Sequence, residues 1–303
     1  MSMTLAERIL SEASGRKVEA GDLIVVNVDL AMAHDGTAPL AIKSFREMGG
    51  ERVKNPEKIV FVIDHIAPSS SEDVSKLHKL MREFAAEQGI TNFYDVGEGV
   101  CHQILAENHV EPGMIVVGAD SHTCMHGALG AFATGIGSTE MAAVFKTGKI
   151  WFKVPETLKV NISGRLPRMV TPKDVVLEVI GNVKADGATY MAVEYGGEAV
   201  KAMSVEGRLT LTNMAVEMGA KTGLIEPDEK TVEYLKSQGR PIRKLLKASP
   251  EATPAKTLDL DVSRLEPRVA VPPTVDNVKP VSEVEGLEID QVFLGSCTNA
   301  RLE

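Results

Sequence analysis

The stretch MIVVGADSHTCMHG, Met114 to Gly127, joins an apolar run to a cluster of reactive side chains. The Pro112-Gly113 turn in front and Gly118 behind bound a run of the length a buried strand takes. Directly after it come Asp120, Ser121, His122, Cys124 and His126. A polar cluster just past the carboxyl end of a strand is where an open parallel sheet binds ligands, because its loops converge there on a crevice. The stretch therefore predicts a site at a sheet edge, if the rest of the chain builds such a sheet.

Working outward, strand-length apolar runs alternate with segments of helical period. LIVVNVDL (23–30) reads as a strand and APLAIKSFREM (38–48) as a helix; KIVFVIDH (58–65) is a second strand. The following segment, 70–89, opens with Ser70 and Asp73 at capping-box spacing, repeats apolar residues at Val74, Leu77, Met81 and Phe84, and ends at Gly89. A short strand at 91–96, a helix at 101–108 and a helix starting near Ser138 complete a first series. From about Val154 the pattern restarts with LKVNISG as a strand, then Thr171 as N-cap, Pro172 at the first helical position and Asp174 at the capping-box position. This alternation predicts an α/β fold with mainly parallel sheets. A boundary falls near 155, giving domains 1–155 and 156–280. EPRVAVPPTVDNVKPV reads as an extended connector, and LEIDQVFLGSCTNARLE as a fresh strand opening an incomplete third unit, 281–303.

Composition narrows the partners. The 303 residues are 44% hydrophobic and 25% charged, as in an ordinary globular protein, and their formal net charge of −9 repels nucleic acid and anionic membrane alike. The densest basic spot, Arg240 to Lys247, reads as a solvated helix face. No run of about 18 apolar residues exists, so no membrane span is expected and a cytoplasmic location is. Three cysteines, Cys101, Cys124 and Cys297, at wide spacings argue against a disulfide framework and leave room for thiolate chemistry.

His122 and His126 invite a zinc reading, since histidines four apart share a face of an α-helix, but the spacing matches no established zinc signature. Ser121 beside His122 is a poor nucleophile–base pair, because chain neighbours rarely face each other. Asp64-His65 and Cys101-His102 place two further imidazoles at strand ends; singly each reads as structural, whereas three converging histidines with carboxylates to orient them suit proton transfer to a leaving hydroxyl. Gly127, Gly130, Gly135 and Gly137 lack both the dinucleotide fingerprint and the P-loop lysine, and read as sites of close backbone approach. Cys297 in FLGSCTNAR is open to three readings: nucleophile, metal ligand or inert thiol.

Four separated motifs, HDGTAPLA, VIDHIAP, GVCHQILAE with GADSHT, and FLGSCTNAR, follow one another as in a known family. The chain resembles the aconitase superfamily over essentially its whole length, and within it the large subunits of the two-subunit isopropylmalate and homoaconitate dehydratases. The resemblance implies three-layer α/β/α domains around a 4Fe-4S cluster held by three cysteines, with an open iron acting as a Lewis acid on the substrate hydroxyl and carboxylate. It implies Cys297 as the first ligand and matches neither Cys101 nor Cys124. It implies three acid–imidazole pairs, Asp64 with His65, Asp120 with His102 and Glu194 with His122, with His65 donating the proton that lets hydroxide leave as water. Ser121, His34 and Arg301 are the implied substrate contacts. A small subunit is expected to bring the catalytic serine and the specificity loop. The implied reaction is interconversion of 3-isopropylmalate and 2-isopropylmalate by dehydration and rehydration, in leucine biosynthesis; the alternative is a homoaconitase acting on homocitrate and homoaconitate. A zinc hydrolase or an RNA-binding aconitase relative stands further off. The second and third cluster cysteines are expected beyond Glu303, so this chain alone reads as truncated, cluster-free and inactive.

Overall fold

The computed structural model describes residues 2–242 and 244–301. The N-terminal half runs α1 (Leu5–Ser14), β1 (Leu23–Asn27), β2 (Leu30–His34), α2 (Ala38–Glu47), β3 (Ile59–Val62), α3 (Glu72–Gln88), β4 (Asn92–Tyr94), α4 (Cys101–Asn108), β5 (Ile115–Gly118), β6 (Phe132–Gly135), α5 (Ser138–Thr147) and β7 (Lys149–Lys153). Strands β2 to β6 form one parallel sheet in the order β4-β3-β2-β5-β6.

Both faces of this sheet are covered, as a parallel sheet requires. On one side Ala31, Ala33, Phe61, Val117 and Phe132 pack with Phe45 of α2, Phe84 of α3 and Phe145 of α5. On the other, Met32, Val60, Val62 and Val116 pack with Ile104 and Leu105 of α4 and with Met125, Ala128 and Leu129. The expected strand 23–30 divides. Its first part, β1, alternates exposed and buried residues and pairs antiparallel with β7, whereas β2 is buried at every position and joins the main sheet. Helix α3 is capped by Ser71, whose hydroxyl accepts from Val74 N–H, one residue later than Ser70.

The second half runs β8 (Thr157–Ser163), α6 (Pro172–Val183), β9 (Ala192–Gly196), α7 (Glu198–Ala202), α8 (Val205–Asn213), β10 (Thr222–Ile225), α9 (Glu229–Ser237), β11 (Lys256–Asp261), β12 (Arg268–Ala270) and β13 (Val278–Pro280). Its sheet is parallel in the order β10-β9-β8-β11. Helix α6 begins as its sequence asks, with Asp174 accepting from both the N–H and the hydroxyl of Thr171. The proline-rich connector closes into a small antiparallel hairpin of β12 and β13. Residues 240–242 and 244–248 form no helix, contrary to the solvated-face reading, because Leu246 is buried in the first core.

The two sheets share contacts across residue 155. Ala192, Leu224 and Leu246 lie in the first core. The 3-10 helix Ser121–Leu129 lies against β10 so closely that a Cβ on Gly127 would stand 1.7 Å from the carbonyl oxygen of Gly223. Residues 287–296 form no strand: Val292, Phe293 and Leu294 are more than four-fifths exposed, having no sheet to join among the described residues.

Candidate active site

The site begins where β2 ends. Past His34, the buried carboxylate of Asp35 accepts backbone N–H groups from Asp64 (3.3 Å), His65 (2.9 Å) and Ile66 (2.7 Å), and lies 3.3 Å from Nε2 of His78. Asp35 thus clamps the loop after β3 to the end of β2. In that loop Asp64 lies 2.7 Å from Nδ1 of His65 and accepts the N–H of Cys101 at 2.6 Å, where α4 starts. The next residue, His102, puts Nε2 2.9 Å from Asp120.

Asp120 joins these pieces. Its Oδ1 accepts the N–H of His122 at 2.7 Å, capping the 3-10 helix, while Oδ2 lies 3.5 Å from Nε2 of His65 and 3.5 Å from Nε2 of His34. The His34 and His65 rings stack with centroids 3.6 Å apart. Gly135 permits this crowding, since a Cβ there would meet the Asp120 carbonyl oxygen at 2.7 Å. Ser121 Oγ is exposed, 3.3 Å from Nδ1 of His122.

A cavity of about 870 Å³ opens over this edge, with Asp64, His65, His102, Asp120 and His122 on one wall and Cys297 and Arg301 on the other. The second wall is pinned: Thr210 of α8 donates to the Thr298 carbonyl at 2.7 Å, Thr298 Oγ1 reaches Asn213 at 3.0 Å, and Arg301 Nε reaches Gln103 at 3.1 Å. Of FLGSCTNAR, the part from Ser296 to Arg301 therefore belongs to the site although it lies in no strand.

Electrostatics follow from the shared carboxylates. Hydrogen bonds to Asp120 and then to Asp64 raise His65 to about 10, against the opposing effect of its burial. Burial of Asp120 works against ionisation, but donors from His102, His34 and His65 outweigh it and hold this carboxyl far below the usual range. Burial pushes the Cys297 thiol up, with Arg301 pulling the other way.

The expected partner of His122 is corrected. Glu194 alternates to the opposite side of β9, where it is buried and accepts the N–H of Ala6 at 3.0 Å at the start of α1. His122 Nε2 instead lies 3.3 Å from Glu217, which raises the imidazole and is itself lowered by it. Glu217 and Asp35 carried no role in the sequence reading. Asp35 stands inside HDGTAPLA, so a motif did mark it; Glu217 lies 95 residues from His122 with no local signal.

The zinc reading also fails on geometry. Ser121–Leu129 is a 3-10 helix, in which residues three apart eclipse and residues four apart do not. His126 is fully buried with both ring nitrogens unpartnered, and Cys124 donates to the Asn213 carbonyl. His34, Asp35, Asp64 and His65 bring ligand atoms within 4.8 Å of one another, but Asp35 has spent its oxygens on N–H donors. For an iron–sulfur cubane the donor set fits one corner and no more. Cys297 is half-buried on the cavity wall, whereas Cys101 and Cys124 are buried thiols, Cys101 pushed far up and Cys124 to about 12 by desolvation.

The aconitase family (aconitate hydratase) matches residues 7–286. A 3-isopropylmalate dehydratase large subunit 1 from Methanopyrus kandleri is 60% identical over 308 residues, covering 100% of this chain and 73% of that protein. A probable 3-isopropylmalate dehydratase large subunit from Methanothermobacter thermautotrophicus is 59% identical, again over 100% of this chain and 73% of its own. A methanogen homoaconitase large subunit from Methanocaldococcus jannaschii is 54% identical over 99% of this chain and 73% of its own length. Since one family accounts for nearly the whole chain and relatives this similar run its full length, the chain belongs to the aconitase family.

Proposed function

We propose that this chain is the large subunit of a hydro-lyase that interconverts 3-isopropylmalate and 2-isopropylmalate by dehydration and rehydration, in the cytoplasm, together with a small subunit. The observation that carries the reading is Asp120 shared among His34, His65 and His102 on the rim of one cavity, opposite Cys297 and Arg301. The names of similar proteins favour isopropylmalate first and the homoaconitase substrates second.

Dehydration breaks a C–H bond next to a carboxylate and a C–O bond beside it. Hydroxide is a poor leaving group, so a proton must reach the departing oxygen. His65 suits that role, since it stays protonated through the neutral range, its Nδ1 is held by Asp64, and it borders the cavity. After transfer, Asp64 and Asp120 favour its reprotonation from solvent. His102, buried and bonded to Asp120, keeps that carboxylate ionised and fixed. Arg301 gives a substrate dicarboxylate a counter-charge, His122, made more basic by Glu217, borders the same cavity, and Ser121 Oγ beside it offers a further donor. Cys297 is the one thiolate this chain can offer to a 4Fe-4S cluster. The small subunit supplies the base, a serine, and the loop that selects the substrate.

The test is steady-state turnover by the assembled two-subunit enzyme with 3-isopropylmalate and with homocitrate. His65→Asn is expected to lower kcat by about 10²-fold or more with a smaller effect on KM, as removal of a general acid does. Absence of isopropylmalate turnover alongside efficient homocitrate turnover would move the chain to the second substrate.

A further inference from the structure

We propose a second ligand site, for a phosphorylated small molecule, at the carboxyl edge of the β10-β9-β8-β11 sheet. A cavity of about 600 Å³ lies there between the loops that follow β9 and β10. It is separate from the candidate active site: helix α8 stands between them, with Glu206 lining the first cavity and Arg208 the second. Carboxyl edges of parallel sheets collect ligands because the loops leaving them frame a crevice.

The wall carries five basic and three acidic side chains, on a chain whose net charge is −9. Two of the acids are already engaged. Asp228 takes the guanidinium of Arg208 on both oxygens, at 2.7 and 2.6 Å, and Glu226 accepts the N–H of Ala248 at 2.9 Å. Lys230 donates to the carbonyls of Ala202 and Met203. The ammonium groups of Lys159, Lys201 and Lys247 make no hydrogen bond or ion pair among the described residues, Lys159 feeling only the longer-range field of the buried Glu194 on the neighbouring strand. Lys159 is half-buried on β8, and it is spared by a glycine: a Cβ on Gly196 would come within 3.2 Å of its Nζ. Gly197 beside it has φ +99°, and a Cβ there would stand 2.2 Å from the Ile162 carbonyl oxygen.

The donor chemistry selects the anion class. A planar carboxylate is matched by the guanidinium fork, and the one arginine of this wall is already saturated by Asp228. What remains is lysine ammonium beside a glycine pair. Ammonium groups act as point charges with three donors each and suit a tetrahedral phosphate, and the volume leaves room for the organic remainder of a monoester or diphosphate.

The probe is pyrophosphate, titrated calorimetrically into the 303-residue chain at constant ionic strength, with thermal denaturation alongside. Saturable binding near one per chain and a raised Tm are expected. Lys159→Met should weaken binding about tenfold or more, and the exposed Lys247→Ala about threefold, without loss of folded structure by circular dichroism. His65→Asn should leave binding unchanged. The proposal is overturned if the wild type shows no saturable binding, if both lysine variants bind as the wild type does, or if His65→Asn abolishes binding, which would place the anion in the first cavity. Tricarballylate binding as tightly as pyrophosphate would also overturn it, because the site would then select carboxylates.

Discussion

Asp120 holds three imidazoles and one backbone N–H on two oxygens. Neutralising it while keeping its shape should let His65 relax toward its ordinary basicity. In Asp120→Asn, His65 is expected to fall from about 10 toward the usual imidazole value, read by NMR titration of its ring. The stability consequence has a definite sign. A raised folded-state value makes the protonated imidazole stabilising below about 6.5, and that contribution is lost as pH rises toward 10. Denaturant midpoints of the wild type should therefore decline across that window, and those of Asp120→Asn should decline less; parallel curves would refute the coupling. Asp64 and His65 were legible because they are neighbours in one motif at a strand end. Glu217 was not, since only the packing of the 3-10 helix against the segment after α8 brings it to His122.

The elements whose ends carry local chemistry were the legible ones. Helix α5 starts at Ser138, where Glu140 accepts the N–H of Gly137, and α6 starts at Pro172 behind Thr171, because caps and prolines are properties of neighbours in sequence. The division between β1 and β2 was hidden, as one apolar run spans both and only tertiary pairing separates the alternating edge from the fully buried strand. Glu194 was misplaced for a related reason: strand alternation sends it under α1, where its carboxylate accepts from the N–H groups of Ala6 and Leu5. Burial there raises it to about 7. An acid with a raised folded-state value holds its proton while the unfolded chain has lost it, so stability falls as pH rises from about 4.5 to 7 and stays reduced above. Glu194→Gln keeps an acceptor for α1 without that charge. It should match the wild type at pH 4.5 and exceed it above pH 7 by on the order of 2 kcal/mol. A variant less stable at both pH values would mean that the ionised carboxylate is what holds the helix.

On the scale of the whole molecule, the cavity exists only because three distant parts meet: the edge of the first sheet, the end of α8, and residues 296–301. Motifs pointed to the first and the last of these, whereas α8 carried no signal, and the way the last is held was hidden because the Thr210 and Asn213 that bind it lie 85 residues or more away in sequence. The approach to this docked segment is exposed, with Phe293 and Leu294 each more than four-fifths open to solvent. Its attachment therefore depends on a few polar contacts, chiefly Thr210 to the Thr298 carbonyl and Thr298 to Asn213. Thr210→Val removes the first contact at nearly constant volume and should release the segment without unfolding the sheets, leaving Tm within a few degrees of the wild type. Cys297 reports the change directly, being half-buried when docked, whereas Cys101 and Cys124 stay in the interior throughout. Iodoacetamide alkylation followed by peptide mass spectrometry should show Cys297 reacting several-fold faster in Thr210→Val, with Cys101 and Cys124 unchanged. Equal rates at Cys297 in both proteins would mean that the second wall is held by Arg301 and Gln103 instead, and that α8 merely lies beside it.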